Sequence, residues 1–215
     1  MTDRRAMTKA EQSDRIRTAY HEAGHAVVAA IYGFLPYRVT IKKDPEKNTR
    51  GEVRIRVSPI IYQLPHQLTA WMIHGLAGIA AQNRYSRKRD SEQRGGDDDI
   101  ARFNEDWWKL TVMTDWNCGD WDEFTSVALW VVNRYWYAID TFARLLLERE
   151  TIECDELDDA LGCAIFTEDY KYTALPEYLC PVDPCTIVDR GVHSEAEALQ
   201  AAFITAYDGE SSPRA

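Results

Sequence analysis

The stretch that most constrains this chain is Ala19-Tyr20-His21-Glu22-Ala23-Gly24-His25-Ala26-Val27-Val28-Ala29-Ala30. Small and apolar residues surround three polar ones, so a helix through it is buried over much of its circumference, and buried imidazoles need partners. His21 and His25 lie four residues apart. On an α-helix that spacing sets two rings one above the other on one face, where both reach a single metal ion. Zinc suits such a pair. Glu22, one step around the helix, can touch a water at the ion's open position without being a ligand, which makes it the candidate general base. The competing reading is a plain core helix with hydrogen-bonded histidines. Gly24 argues against it, because a mid-helix glycine costs about 1 kcal/mol relative to alanine and is retained where a backbone comes close.

With 215 residues the chain has room for one sizeable core. Its hydrophobic content of 45% and charged content of 28% are those of an ordinary globular protein, and no apolar run is long enough to cross a bilayer. Residues 1–17 lack the apolar centre of a secretion signal, so a cytoplasmic protein is expected. A net charge of -10 argues against a nucleic-acid partner. The one basic cluster, Arg84 to Arg94, is broken by Asp90 and Glu92 and reads as a solvated loop. Five cysteines, an odd number and widely spaced, suggest reduced thiols rather than a disulfide framework. Cys180 and Cys185 have no second pair to complete a structural zinc site.

In chain order, Thr8-Lys9-Ala10-Glu11 forms a capping-box pattern that opens a helix running to about Tyr32, closed by Gly33 with Pro36 beyond. Tyr37–Lys42 and Gly51–Val57 alternate apolar and polar residues around a polar turn from Asp44 to Arg50, which reads as a hairpin. An edge of that hairpin beside the metal could hold an extended peptide through main-chain hydrogen bonds, with Arg54 and Arg56 turned from the core. Pro65 opens a second helix with Leu68, Trp71, Met72, Leu76 and Ile79 at helical spacing. His74 lies near that face and reads as a core or boundary histidine. Asp97-Asp98-Asp99 begin a third helix, whose core face carries Ile100, Phe103, Trp107 and Leu110. Acids at a helix start are favoured by its dipole, yet three together repel unless a cation is near, so one of them is the best source of a third, oxygen ligand. Spacing does not say which. Asp120 and Glu123 cap one long helix whose apolar stripe runs from Phe124 through Val131, Tyr135 and Ile139 to Leu146, ending near Glu150. Its aromatics read as packing. A short acidic helix covers Asp155–Leu161. From Cys163 the chain changes character: Pro176, Pro181 and Pro184 mark an irregular extension, Ser194–Tyr207 holds one amphipathic helix, and residues 209–215 carry no structural signal.

The run Ala19 to Ala30 resembles the zinc-binding helix of the FtsH-type ATP-dependent zinc metalloproteases. Val39-Thr40-Ile41 and Gly51-Glu52-Val53 are similar to that family's two strands, Leu76 to Gln82 to its small-residue helix, and Gly95 to Ile100 to the segment with its third zinc ligand. Leu145 to Ile152 is similar to its C-terminal helix end. The resemblance covers roughly residues 13 to 162. It implies a mainly α, α+β domain, zincin-like, with a small hairpin or sheet beside the motif helix; it implies Zn2+ held by His21, His25 and Asp99, with Glu22 catalytic. Two domains of interest follow: residues 1–162, and an extension, 163–215, expected to pack on the same unit. The chain departs from the family in three respects, one being that nothing in the family pattern accounts for Cys163 to Ala215. No glycine is followed by lysine, so the family's phosphate loop is missing and any unfolding ATPase is expected to be a separate chain. Gln82 stands where the family has a glutamate, which removes a charge behind the metal ligands.

The expected function is that of a zinc-dependent metalloendopeptidase cutting unfolded or extended polypeptides. The alternative is a weak or inactive peptidase-like module that binds peptides or a partner protein, favoured by Gln82. A metal-sensing regulator ranks last, since no DNA-reading helix pair is evident. Family members assemble as rings, but much of that assembly belongs to the ATPase, so an oligomer stays open.

Overall fold

The computed structural model describes residues 7–44, 46, 49–57, 59–86, 96–115 and 118–165. The expected amphipathic helix at 194–207, the cysteine pair at 180 and 185, and nearly all of the 163–215 extension lie outside them. Among the described residues, six helices and a small three-stranded sheet make the architecture mainly helical, as the residue pattern predicts. The helices are α1 (Lys9–Ile31), α2 (Pro65–Ser86), α3 (Asp97–Met113), α4 (Trp121–Arg134), α5 (Trp136–Arg149) and α6 (Cys154–Ile165); the strands are β1 (Leu35–Thr40), β2 (Glu52–Arg56) and β3 (Thr151–Glu153). No helix among the described residues is long and apolar enough to cross a membrane.

The centre of the fold is α1. Its capping box forms as expected: Glu11 N–H donates to Thr8 Oγ1 at 3.2 Å, and Thr8 N–H donates to Glu11 Oε2 at 2.7 Å. The first turns are exposed, whereas Ala19 through Ala29 are buried without interruption. Such a helix is covered on all sides: α2 lies along one flank, α5 along another, and β1 returns beneath its end. Gly33, at φ 74°, makes the reversal into β1. Gly24 is the reason α1 and α2 meet so closely. A Cβ placed there would stand 2.6 Å from the Ala77 carbonyl oxygen and 2.8 Å from Ala81 Cβ. The backbone approach that the sequence reading required of this glycine is therefore supplied by α2.

The sheet order is β2-β1-β3, antiparallel throughout, with Val39 of β1 opposite both Val53 and Ile152. The hairpin forms with two adjustments. β1 begins at Leu35, two residues earlier than the alternation suggests, and its register shifts between Pro36 and Arg38, where proline has no N–H for the ladder. The third strand was not foreseen. Thr151–Glu153 is too short for a pattern of its own, and it exists through its pairing to β1 and the bond from Ile41 N–H to the Glu150 carbonyl at 2.9 Å. Glu150, at φ 63°, turns the chain from α5 into this strand, and its carboxylate meets Arg15 of α1 at 3.2 Å.

The long helix expected from Asp120 to Glu150 is two helices. Tyr135, at φ -104° and ψ 23°, breaks it, although the hydrogen bonds Tyr135 N to Val131 O and Ile139 N to Tyr135 O bridge the bend. The bend lets one apolar stripe cover two partners: α4 packs on α2 and buries Ala128, Val131 and Val132, and α5 packs on α1 and buries Ile139, Phe142 and Leu146. Trp136, just past the bend, stacks on Tyr20 with ring centres 5.5 Å apart and under the Arg84 guanidinium at 4.4 Å. The aromatics of this region are packing groups, as read.

Replacing Gly24 by alanine should destabilise the fold by about 1–3 kcal/mol, because overpacking against the Ala77 backbone outweighs the ~1 kcal/mol helix-propensity gain. Urea unfolding of the two proteins checks this, and equal midpoints would show that α1 and α2 do not depend on the contact.

Candidate metal centre

Three side chains from two helices converge on one point. His21 and His25 project from α1 on the same face, with their Nε2 atoms 3.0 Å apart. Asp99, in the first turn of α3, brings Oδ2 to 3.1 Å from His21 Nε2 and 3.4 Å from His25 Nε2. The three atoms thus form a triangle, and these residues make up a group able to hold a metal ion. A tetrahedral ion with bonds of about 2.0–2.1 Å to nitrogen and oxygen has ligands roughly 3.3 Å apart. The observed edges are close to that value, so two imidazoles and a carboxylate are spaced to hold a tetrahedral metal ion.

Each ligand is placed by a local reason. The His25 Nδ1–H donates to the backbone carbonyl of His74 at 3.0 Å, which fixes the tautomer and leaves the Nε2 lone pair facing the triangle. This bond depends on α2 lying close, and Gly78 permits it: a Cβ there would collide with the His25 ring. The His21 Nδ1 is buried without a hydrogen-bond partner, so that ring is held by packing and by what binds its other nitrogen. Gly96 precedes α3 and sits on Ile79 of α2, whose Cδ1 would lie 2.7 Å from an added Cβ. That seat sets where α3 begins. It turns Asp99 inward, while Asp97 and Asp98 are exposed and lie along the rim of the same cavity. Of the three acids the sequence left as alternatives, geometry selects Asp99, the one the resemblance implies.

Glu22 is buried beside the ligands but is not one of them. Its carboxylate lies under Gly51, where a Cβ would stand 2.5 Å from Oε1, so the residue before β2 must be small. Burial raises the Glu22 pKa above the usual carboxylate range, against the opposing pull of His21 and His25. Burial likewise lowers His25, but the adjoining Asp99 carboxylate outweighs it and raises that imidazole to about 9. For Asp99 burial acts upward, and the two imidazoles overcome it and hold the carboxyl well below its ordinary value. Without a metal, the Asp99 carboxylate therefore favours a proton on His25.

His74 is buried as expected of a core histidine, but it is not a satisfied one. Neither ring nitrogen has a well-formed hydrogen bond, although the nearby Trp71 backbone mildly favours the protonated form. Burial and the neighbouring His25 lower it to about 3, which leaves it neutral. Its ring packs between Trp71, at 4.8 Å, and His25, at 5.3 Å, and its service to the centre is through its carbonyl. Sequence reasoning has no signal for such a backbone contact. Gln82 is buried one turn beyond Gly78 and lines the cavity.

The centre opens into a cavity of about 1330 Å³, bounded by α1, the 51–57 segment containing β2, α2 and α3. This exceeds the ~300–1,000 Å³ of typical small-molecule pockets. Set against known proteins, the chain matches no protein-family model and no curated protein.

Purified protein should bind about one divalent metal per chain, with uptake at neutral pH releasing about one proton, that of His25. Calorimetry in buffers of different ionisation enthalpy measures the proton, and elemental analysis should show the metal lost in His25→Ala or Asp99→Ala. Retention of full stoichiometry in both variants would dismiss the triangle as a metal site.

The His25 pKa also predicts the pH response of the metal-free protein. A group raised from 6.5 to about 9 on folding stabilises fully below 6.5, and that contribution fades as pH rises through about 9. Urea midpoints of the metal-free protein should therefore fall across this window, and the fall should be absent in His25→Ala.

Proposed function

We propose that this protein is a zinc-dependent metalloendopeptidase, related to the FtsH-type peptidases, that hydrolyses unfolded or extended polypeptides. The observation carrying the reading is the convergence of His21, His25 and Asp99, with Glu22 beside them and not ligating, at the floor of a large open cavity. Zinc at this triangle would supply Lewis acidity toward water and toward a carbonyl oxygen.

The chain's own residues account for the rest of the chemistry. His21, His25 and Asp99 would hold the ion beside the cavity that they line. Glu22 accepts the proton of the attacking water on its carboxylate and returns it to the departing amine nitrogen. Its raised pKa makes it a stronger base than an exposed carboxylate, which suits both halves of that exchange. β2 is an edge strand of the described sheet, and the Gly51–Ile55 segment forms part of the cavity wall. An extended substrate can pair with its free side by main-chain hydrogen bonds, which recognise backbone and not sequence. An extended segment is required, because a folded domain offers no free strand to the edge.

The resemblance, with the family's phosphate loop not found in this sequence, further suggests a separate ATPase as the supplier of unfolded chains. A second reading is favoured by one observation. Gln82, neutral and lining the cavity, stands where the family pattern has an acid, so the centre could bind peptides without cutting them.

Wild type and Glu22→Gln, both shown to carry zinc, should be offered casein. Wild type should cleave it, and Glu22→Gln should retain metal but lose at least about 100-fold in rate, the typical contribution of a general base. Equal turnover by the two proteins would remove Glu22 from its role. Absence of cleavage by either, with peptide binding intact, would replace the enzyme by the binding module.

A further inference from the structure

One charged group beside the centre takes no part in the chemistry above. Arg17, His21 and His25 follow one another at four-residue steps along the same face of α1, and each step is about 6 Å of helix axis, a span that an arginine side chain covers. Arg17 lines the cavity together with His21 and Glu22. It is half-buried, and its Nε is fully shielded without a hydrogen-bond partner.

Several of the carboxylates that line the cavity are engaged elsewhere, Asp99 with the two imidazoles among them. Glu52 holds Arg54 at 2.9 Å, Asp14 lies 3.9 Å from Arg50, and Asp106 holds Lys109 at 2.6 Å. Among the described residues no carboxylate pairs with Arg17. A guanidinium keeps its charge at any working pH, and one held beside a divalent cation without a counter-ion is repelled by it. The arrangement becomes favourable when an anion enters the cavity. Arg102 reinforces it from the other side. It lies three residues after Asp99 on α3, also lines the cavity, and likewise has no ion-pair partner among the described residues.

We propose that Arg17 is a specificity determinant whose guanidinium seats a carboxylate of the polypeptide substrate beside the metal, the carboxylate coming from an acidic side chain or from the chain terminus. The inference rests on the peptidase reading. A planar carboxylate matches the guanidinium fork, and the paired hydrogen bonds give orientation as well as attraction.

The test uses the full chain loaded with zinc and carrying Glu22→Gln, so that binding is read without turnover. Three fluorescent versions of one unstructured peptide serve as probes: uncharged with an amidated end, the same with one glutamine replaced by glutamate, and the uncharged version with a free C-terminal carboxylate. One charged probe should bind about tenfold tighter than the neutral one, the equivalent of a charge-assisted hydrogen bond. Which probe it is identifies the source of the carboxylate. Adding Arg17→Gln should abolish the preference with zinc content unchanged, and Arg17→Lys should restore part of it. Equal binding of all three probes, a preference that survives Arg17→Gln, or an equal loss on charged and neutral probes would overturn the assignment. Cleavage of the same probes by the protein with Glu22 intact separates the two readings: a binding preference without cleavage sinks the peptidase and leaves Arg17 in place, whereas cleavage without preference does the reverse.

Discussion

The contact between α1 and α2 at Gly24 and Gly78 is what the centre depends on. Two helices covered by ordinary side chains stand 8–10 Å apart. Here one helix presents a glycine to the Ala77 carbonyl, and the other presents a glycine to the His25 ring. The backbones come close enough for the His74 carbonyl to accept the His25 Nδ1–H, and that bond decides which nitrogen faces the ligand triangle. The same helix α2 carries Ile79, the seat for Gly96, and through it the phase with which α3 delivers Asp99. A glycine in a helix interior is locally unfavourable, and here the loss is offset by placement of three ligands.

The electrostatics follow from taking four ionisable groups out of water together. Asp99 stays ionised because the imidazoles favour its charge, and His25 is raised because Asp99 favours its proton. Glu22 responds oppositely, since burial dominates there. Two carboxylates within one pocket thus have pKa values driven apart, which supports the proposed division of Asp99 as ligand and Glu22 as base. His74, neutral between Trp71 and His25, closes the apolar side of the pocket without adding charge.

In the proposed peptidase, binding and chemistry would share a wall. The segment from Gly51 into β2 gives the clearance that Glu22 needs at its first residue, and β2 is an edge strand of the sheet among the described residues. A strand edge has no preference among side chains, so under the proposed function selectivity would come from groups deeper in the cavity. Arg17 stands one helical turn from the first ligand and has no other assigned task.

Local rules were enough for several elements. The capping box at Thr8, the helix through His21 and His25, the hairpin, and the proline that opens α2 are all readable in sequence because each is set by neighbours within a few residues. The three-residue β3 and the bend at Tyr135 were not, since β3 is held by β1 and Thr40, and the apolar stripe passes through Tyr135 without a break in its period. The ligand set divides in the same way. A four-residue spacing placed two imidazoles on one face before any fold was known, because helix geometry is local. The choice of Asp99 over Asp97 and Asp98 belonged to the docking of α3 on α2, and the orientation of His25 to a carbonyl forty-nine residues away. Both depend on distances between helices, which no spacing along the chain encodes.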